Sequence, residues 1–194
     1  HSPYALFTVF LIGFGMKAGI FPLHVWLPEA HPAAPAHISA VMSGVMIKTG
    51  VYGVIRVLSH IHTELHAIGL VLLAVGAATG LWGAILAALQ KDIKRLLAYS
   101  SIENIGIIFI GLGAGVYGCA TSNGILALCC MGGALLHTLN HSVFKTALFM
   151  GAGNVYTQTH TTSMEALGGL SREMPVTAAL FLLGTTAISA LPPL

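Results

Sequence analysis

Six apolar runs, each near or above the length that a bilayer demands of a helix, make up most of this chain. A hydrocarbon core takes roughly 20 consecutive apolar residues to cross as an α-helix. Reading the runs against their breaks predicts spans at 4–21, 38–58, 67–89, 96–116, 124–153 and from 175 to the chain end. The expected fold is an all-α, polytopic transmembrane bundle of about six spans. Composition agrees: 56% of the 194 residues are hydrophobic and 7% are charged, against roughly 25% charged in soluble domains.

The breaks set the topology. After Phe21-Pro22 comes a polar, Pro-rich link that includes Pro28, Pro32 and Pro35. Proline lacks an N–H and clashes with the preceding turn, so the first span should break near Pro22 and only short helical pieces should follow. Lys91, Lys94 and Arg95 form the densest basic cluster, which marks that loop as cytoplasmic by the positive-inside rule. Alternation then puts 22–37 and 154–174 on the same side; Arg172 agrees with this and Arg56 counts against it. The chain starts at His1-Ser2-Pro3 with neither Met nor signal segment, and it stops within an apolar run. It reads as a fragment, with 1–194 one piece of a single membrane domain.

A net charge of +2 with no basic stripe excludes nucleic acid as a partner. Cys119, Cys129 and Cys130 lack metal or cluster spacing and read as small apolar residues in helices.

The few ionisable groups inside the apolar runs carry the functional information. A charge at bilayer depth costs roughly 2.5–3.5 kcal/mol on insertion scales. Lys17, in the first span, and Lys48, in the middle of the second, must therefore meet the bundle interior, water or a counter-ion, unless they snorkel to the headgroups. His137, His141 and Lys145 stand at i, i+4 and i+8, so at 100° per residue they line one helix face over about 12 Å. Thr138 and Ser142 flank them. Histidine exchanges protons near neutral pH, and a row of such groups is what a proton relay needs. Two other readings of the pair His137 and His141 are half of a metal site, which the neighbouring ammonium disfavours, and a purely structural hydrogen-bonded tie between helices. Glu103, about two turns into the fourth span, is either a counter-ion for a buried lysine or a residue at the membrane surface. His24, His31 and His37 fall in the Pro-rich link and read as solvated loop histidines.

A weak echo also runs through the chain. Residues 5–23 align with 176–194, matching Phe10 with Phe181, Gly13 with Gly184 and Pro22 with Pro193. Two Pro-interrupted helices in corresponding positions are the mark of repeat-built transporters.

Several motifs now point to one family. Lys17-Ala18-Gly19-Ile20-Phe21-Pro22-Leu23-His24-Val25-Trp26-Leu27-Pro28, then Ala34-Pro35-Ala36-His37, resembles the antiporter-like subunits of respiratory complex I and of the multisubunit sodium/proton antiporters. So do Lys91-Asp92-Ile93-Lys94-Arg95-Leu96-Leu97-Ala98-Tyr99-Ser100-Ser101 and His141-Ser142-Val143-Phe144-Lys145. Ala30-His31-Pro32 and Met42-Ser43-Gly44-Val45-Met46-Ile47-Lys48 look most like the hydrogenase-4 component B and formate hydrogenlyase subunit 3 branch. The resemblance implies an inverted-repeat transporter fold. It implies that Lys17 is the lysine on a broken helix that pairs with a glutamate outside this sequence, and that Lys48 is the bridging lysine. It places His141, with His137 and Lys145, on the central relay helix.

The expected function is proton translocation as a membrane subunit of a redox-driven complex, in a prokaryotic cytoplasmic membrane. Other membrane subunits and hydrophilic redox subunits would be its partners. No cluster, haem or nucleotide motif appears, so neither a cofactor nor a redox centre is expected in this chain. A sodium/proton antiporter and a non-conducting scaffold are the near alternatives. A haem-bearing anchor would need axial histidines on two facing helices, whereas His137 and His141 share one.

Overall fold

The computed structural model describes residues 3–191, which are almost entirely helical. Helix α1 is Pro3–Ala18, and the short α2 is Leu27–Ala33. Helix α3, Ala36–Leu58, contains a π-helical turn at Met42–Met46. The long helices α4, Leu65–Ala88, α5, Ile93–Ala120, and α6, Gly124–Thr159, follow. The chain then passes through α7, Leu170–Glu173, to α8, Pro175–Ile188. Helices α3, α4, α5 and α6 are each long and apolar enough to cross a membrane, whereas α1 and α8 are shorter apolar helices. The chain is an integral membrane protein.

The first span breaks as expected, but earlier than Pro22 alone would dictate. Helix α1 stops at Ala18 because Gly19 takes φ +85°, a left-handed conformation in which glycine is unstrained. The Gly19 N–H then returns to the Gly15 carbonyl at 2.8 Å. Pro22 keeps the helix from resuming, and regular structure restarts only at Leu27. Backbone freed by this break must be satisfied without bulk water. Thr79 Oγ1, on α4, accepts from the Phe21 N–H at 3.0 Å, and the Trp26 indole donates to the Met16 carbonyl at 2.9 Å.

Helix α5 is the centre of the bundle. Ile102, Ile105, Ile108, Phe109 and Leu112 are fully buried, and α5 packs against both α4 and α6. Its approach to α4 is a backbone-to-backbone contact through glycines. A Cβ added at Gly113 would lie 2.6 Å from the Leu73 nitrogen, and one at Gly76 would lie 2.7 Å from the Ile110 nitrogen. Gly106 meets the backbones of Gly76 and Gly80 from the other side. Small residues are how membrane helices come this close, because lipid supplies no hydrophobic drive for association.

The two ends of the bundle are distinct. At one end α1 starts beside the 59–64 connection, where the Tyr4 N–H donates to Glu64 Oε2 at 2.6 Å. At the other end the basic loop holds three segments together. Arg95 bridges to Glu29 at 2.8 Å, Lys91 to Glu165 at 2.6 Å, and Lys94 donates to the Ala34 carbonyl at 2.8 Å. The 22–37 link, the basic loop and the 160–174 stretch thus share one side, as alternation requires. Helices α1 and α8 enter from opposite sides, which suits an inverted pair. The Pro193 position of the internal echo lies outside the described residues.

Asp92 caps α5 by accepting from the Lys94 and Arg95 N–H groups, each at 2.9 Å, and it also accepts from the Thr162 hydroxyl. An N-cap is worth about 0.5–2 kcal/mol. Asp92→Ala is therefore expected to lower the thermal unfolding midpoint in detergent by a few degrees, and to loosen the 160–166 segment to proteolysis. An unchanged midpoint would show that the cap contributes nothing here.

Candidate functional site

The His137, His141 and Lys145 stripe lies near the middle of α6 and turns toward α5. The other side of that helix is apolar and exposed, with Leu135, Leu136, Leu139 and Val143, as expected for a surface that faces lipid or another helix. Two of the three titratable groups have no contact with solvent at all: His141 and Lys145 are 0% exposed.

Lys145 and His137 meet different parts of α5. Lys145 Nζ donates to the Leu97 carbonyl at 3.0 Å and to the Ser100 hydroxyl. One turn further along, Asn104 donates through Nδ2 to the Ser100 carbonyl at 2.7 Å. That bond fixes the amide so that Oδ1 points at His137, whose Nε2 therefore donates to it at 2.9 Å. His141 sits between them, with its ring centroid 6.3 Å from His137 and edge-on to Phe144 at 5.3 Å. Neither ring nitrogen of His141 has a hydrogen-bond partner. Desolvating a polar group without a partner is costly, so these two nitrogens are positions where bridging water is favoured.

Lys48 joins the same network from α3. It is half-buried, just after the π turn, and its Nζ donates to the Ser43 carbonyl. The Ser101 hydroxyl spends its proton on the Leu97 carbonyl at 2.9 Å, so in the 2.9 Å contact between Ser43 and Ser101 it is Ser43 that donates. Polar contacts thus lead from Lys48 to the Ser43 carbonyl and, from the hydroxyl of the same serine, through Ser101 to the Leu97 carbonyl, where Lys145 also binds. From Lys145 they reach the Ser100 hydroxyl, and from the carbonyl of that serine they continue through Asn104 to His137. Lys48 also borders an open groove between α3 and α6, beside Thr138 and Ser142.

The remaining candidates stand apart. Lys17 is exposed at the end of α1, without a hydrogen bond or ion pair to any described residue. Glu103 is half-buried about three turns into α5, because that helix begins at Ile93. It is near enough to Lys145 to interact electrostatically but makes no ion pair within 4.0 Å. Among the described residues, no third His, Cys, Asp or Glu joins His137 and His141 in a group suited to a metal ion.

Two histidines differ from the sequence expectation. His31 is 0% exposed, stacked on Phe149 of α6 at 4.5 Å, and His24 is 5% exposed against Phe21. Of the three, only His37 is solvated, and it sits in the first turn of α3 and not in a loop. The Pro-rich link is folded back into the bundle, because α2 packs on α5. Sequence reasoning also missed Ser43, Ser100, Ser101 and Asn104. The available signal was Ser100, Ser101 and Asn104 recurring within one turn of an apolar run.

Comparison with known proteins places this arrangement. The chain is 46% identical over 193 residues to hydrogenase-4 component B of Escherichia coli (strain K12), covering 98% of this chain and 29% of that protein. The membrane-bound sulfane sulfur reductase, an archaeal respiratory membrane complex, contains a chain that superposes with a TM-score of 0.84 at 35% identity, covering 96% of this chain and 31% of that one. A chain of respiratory complex I from Thermus thermophilus gives 0.81 at 30% identity, covering 99% and 39%. The chain therefore spans about a third of the length of the proteins it matches. The family described as NADH:quinone oxidoreductase/Mrp antiporter, TM, matches residues 3–194, and the chain belongs to it.

Proposed function

We propose that this chain is the proton-conducting part of an antiporter-like membrane subunit, one conducting domain that moves protons for a redox-driven complex. The observation that carries the proposal is the run of polar contacts that joins Lys48, Lys145 and His137 across three helices by way of Ser43 and Ser100, with the unpartnered imidazole of His141 between His137 and Lys145 on α6. Ionisable residues within membrane helices are expensive and rarely kept without a transport role. A histidine with two unpartnered ring nitrogens accepts a proton on one and releases it from the other. Lys17, Lys48, His137, His141 and Lys145 are the groups we assign to proton movement, with Glu103 as an electrostatic partner of Lys145. Electron transfer would belong to hydrophilic subunits docked on the basic-loop side, with neighbouring membrane subunits covering the apolar helix faces.

His141→Gln tests the relay. Glutamine keeps a hydrogen-bonding group of similar reach but does not titrate. The full-length variant in its complex is expected to assemble normally and to lose coupled proton transport in sealed vesicles by on the order of 100-fold, the range ascribed to a positioned proton-transfer group. Wild-type pumping would reduce the stripe to a structural tie between α5 and α6. The family also contains Mrp antiporters, so a second reading is sodium/proton exchange; transport that requires sodium would favour it.

A further inference from the structure

A cavity of about 580 Å³ lies at the basic-loop end of the bundle, where α3 and α5 begin and α6 ends. It is lined by His37 of α3, Lys94 of α5, and Asn154 and Thr157 of α6. All three helices are long and apolar enough to cross a membrane, so their ends set the cavity at the depth of lipid headgroups. Lys94 is only 6% exposed. Its Nζ donates to the Ala34 carbonyl at 2.8 Å and lies 5.7 Å from the centre of the Tyr156 ring. Neither contact neutralises its charge. The nearby carboxylates are engaged elsewhere: Glu29 with Arg95, Glu165 with Lys91, and Asp92 with the α5 cap and Thr162. Among the described residues, no carboxylate lies within 4.0 Å of the Lys94 ammonium. An ammonium has three N–H donors, and the Ala34 carbonyl takes one of them.

We infer that this cavity binds the phosphate of an anionic phospholipid, with Lys94 as its counter-ion. A buried charge without an opposite charge is costly, and an anion in the cavity removes that cost. Neutral donors around a single cation suit a phosphodiester, whose oxygens accept several hydrogen bonds at once. Asn154, Thr157 and His37 supply such donors. The first N–H groups of α3, at Ala36 and His37, find no acceptor among the described residues, and they stand at the positive end of that helix. Basic pockets between membrane helices at this level are where anionic headgroups bind. The face of α3 below the cavity favours a lipid over a soluble anion. Ile38, Val41 and Val45 follow at i, i+3 and i+7 and are 45%, 60% and 60% exposed, and Val45 lines the groove between α3 and α6. An acyl chain running down from the cavity covers these side chains, which a free phosphate leaves bare. A zwitterionic lipid brings its own cation to the phosphate, and that cation competes with Lys94.

The test uses the full-length protein in its complex, stripped of lipid in mild detergent. Phosphatidylglycerol or phosphatidylcholine is added back, and bound lipids are counted by native mass spectrometry. The readout is lipid binding, so it stands apart from the fate of the proton relay. Asn154 is exposed, and Asn154→Asp puts a carboxylate into the cavity without disturbing buried packing. At low lipid concentration this variant is expected to hold one phosphatidylglycerol fewer than wild type, with its phosphatidylcholine count unchanged. The lost lipid is expected to bind wild type on the order of 10-fold or more tightly than phosphatidylcholine does, the weight of a hydrogen bond to a charged group. Lys94→Gln should lose the same lipid; if it fails to assemble, Asn154→Asp still decides the matter. An unchanged phosphatidylglycerol count in Asn154→Asp would overturn the inference, and so would an equal loss of both lipids. Displacement of that phosphatidylglycerol by an equal concentration of inorganic phosphate would also overturn it, because the acyl chain would then contribute nothing.

Discussion

Lys145→Met is expected to fold and assemble with the wild-type helices and to abolish coupled proton transport. Methionine fills nearly the same volume, and flexible, volume-conserving replacements in cores usually cost less than about 1.5 kcal/mol. The groups that lose the ammonium are not left unpaired. The Leu97 carbonyl keeps the Ser101 hydroxyl at 2.9 Å and the Ser100 hydroxyl at 3.2 Å. What disappears is the titratable group that binds the Leu97 carbonyl and the Ser100 hydroxyl where α6 meets α5. Arginine separates the two roles this lysine can have. It keeps the charge but does not deprotonate in proteins, so Lys145→Arg should assemble poorly or, where it assembles, transport nothing. Recovery of pumping by Lys145→Arg would show that a fixed charge suffices, and the relay would be wrong. The readout is proton uptake into sealed vesicles alongside the level of assembled complex, with a loss of on the order of 100-fold or more expected for both variants.

The largest structural effect is expected at Gly106. A Cβ there would lie 2.7 Å from the Gly76 carbonyl oxygen and closer still to the Gly80 backbone. No side chain is available to swing aside, so α4 and α5 would have to separate along their length. Overpacking costs about 1–3 kcal/mol where side chains can adjust, and occasionally more; rigid backbone on both sides puts this site at the upper end. Gly106→Leu should therefore deplete the folded protein in mild detergent several-fold, and should release Leu72 and Phe109 from their buried positions. Gly132→Leu is the control. An added Cβ at Gly132 meets nothing within 4 Å, and full recovery of that variant is expected. Equal yields of the two variants would mean that the glycine contact is not what holds α4 to α5.

The stripe was legible in the sequence because helical spacing alone puts residues four apart on one face, and no other histidine or charged residue stands in α6 beside it. The break after α1 was legible for a similar reason, since Pro22 forbids continuation. Its start three residues earlier was less so, because Gly19 stops the helix through a backbone angle that composition does not report. The partners of the stripe were hidden. Asn104 and Ser100 matter by where α5 lies against α6, and helix pairing is set by tertiary contacts that no single run displays. His31 was misread because prolines around a histidine signal a loop, and a loop signals water. Here the link is folded inward, so the usual inference from loop to solvent fails.

The clamp on the basic-loop side also says how that face can be recognised. Of the four lysines and arginines there, Arg95 and Lys91 already face carboxylates, Lys94 is turned inward to a carbonyl, and Arg172 is followed directly by Glu173. The exposed pairs contribute little to stability, but they cancel much of the local field. A protein docking on this face would find a surface of matched charges with little long-range attraction to offer. Its association should consequently depend weakly on ionic strength, and its specificity should come from fit to the three joined segments.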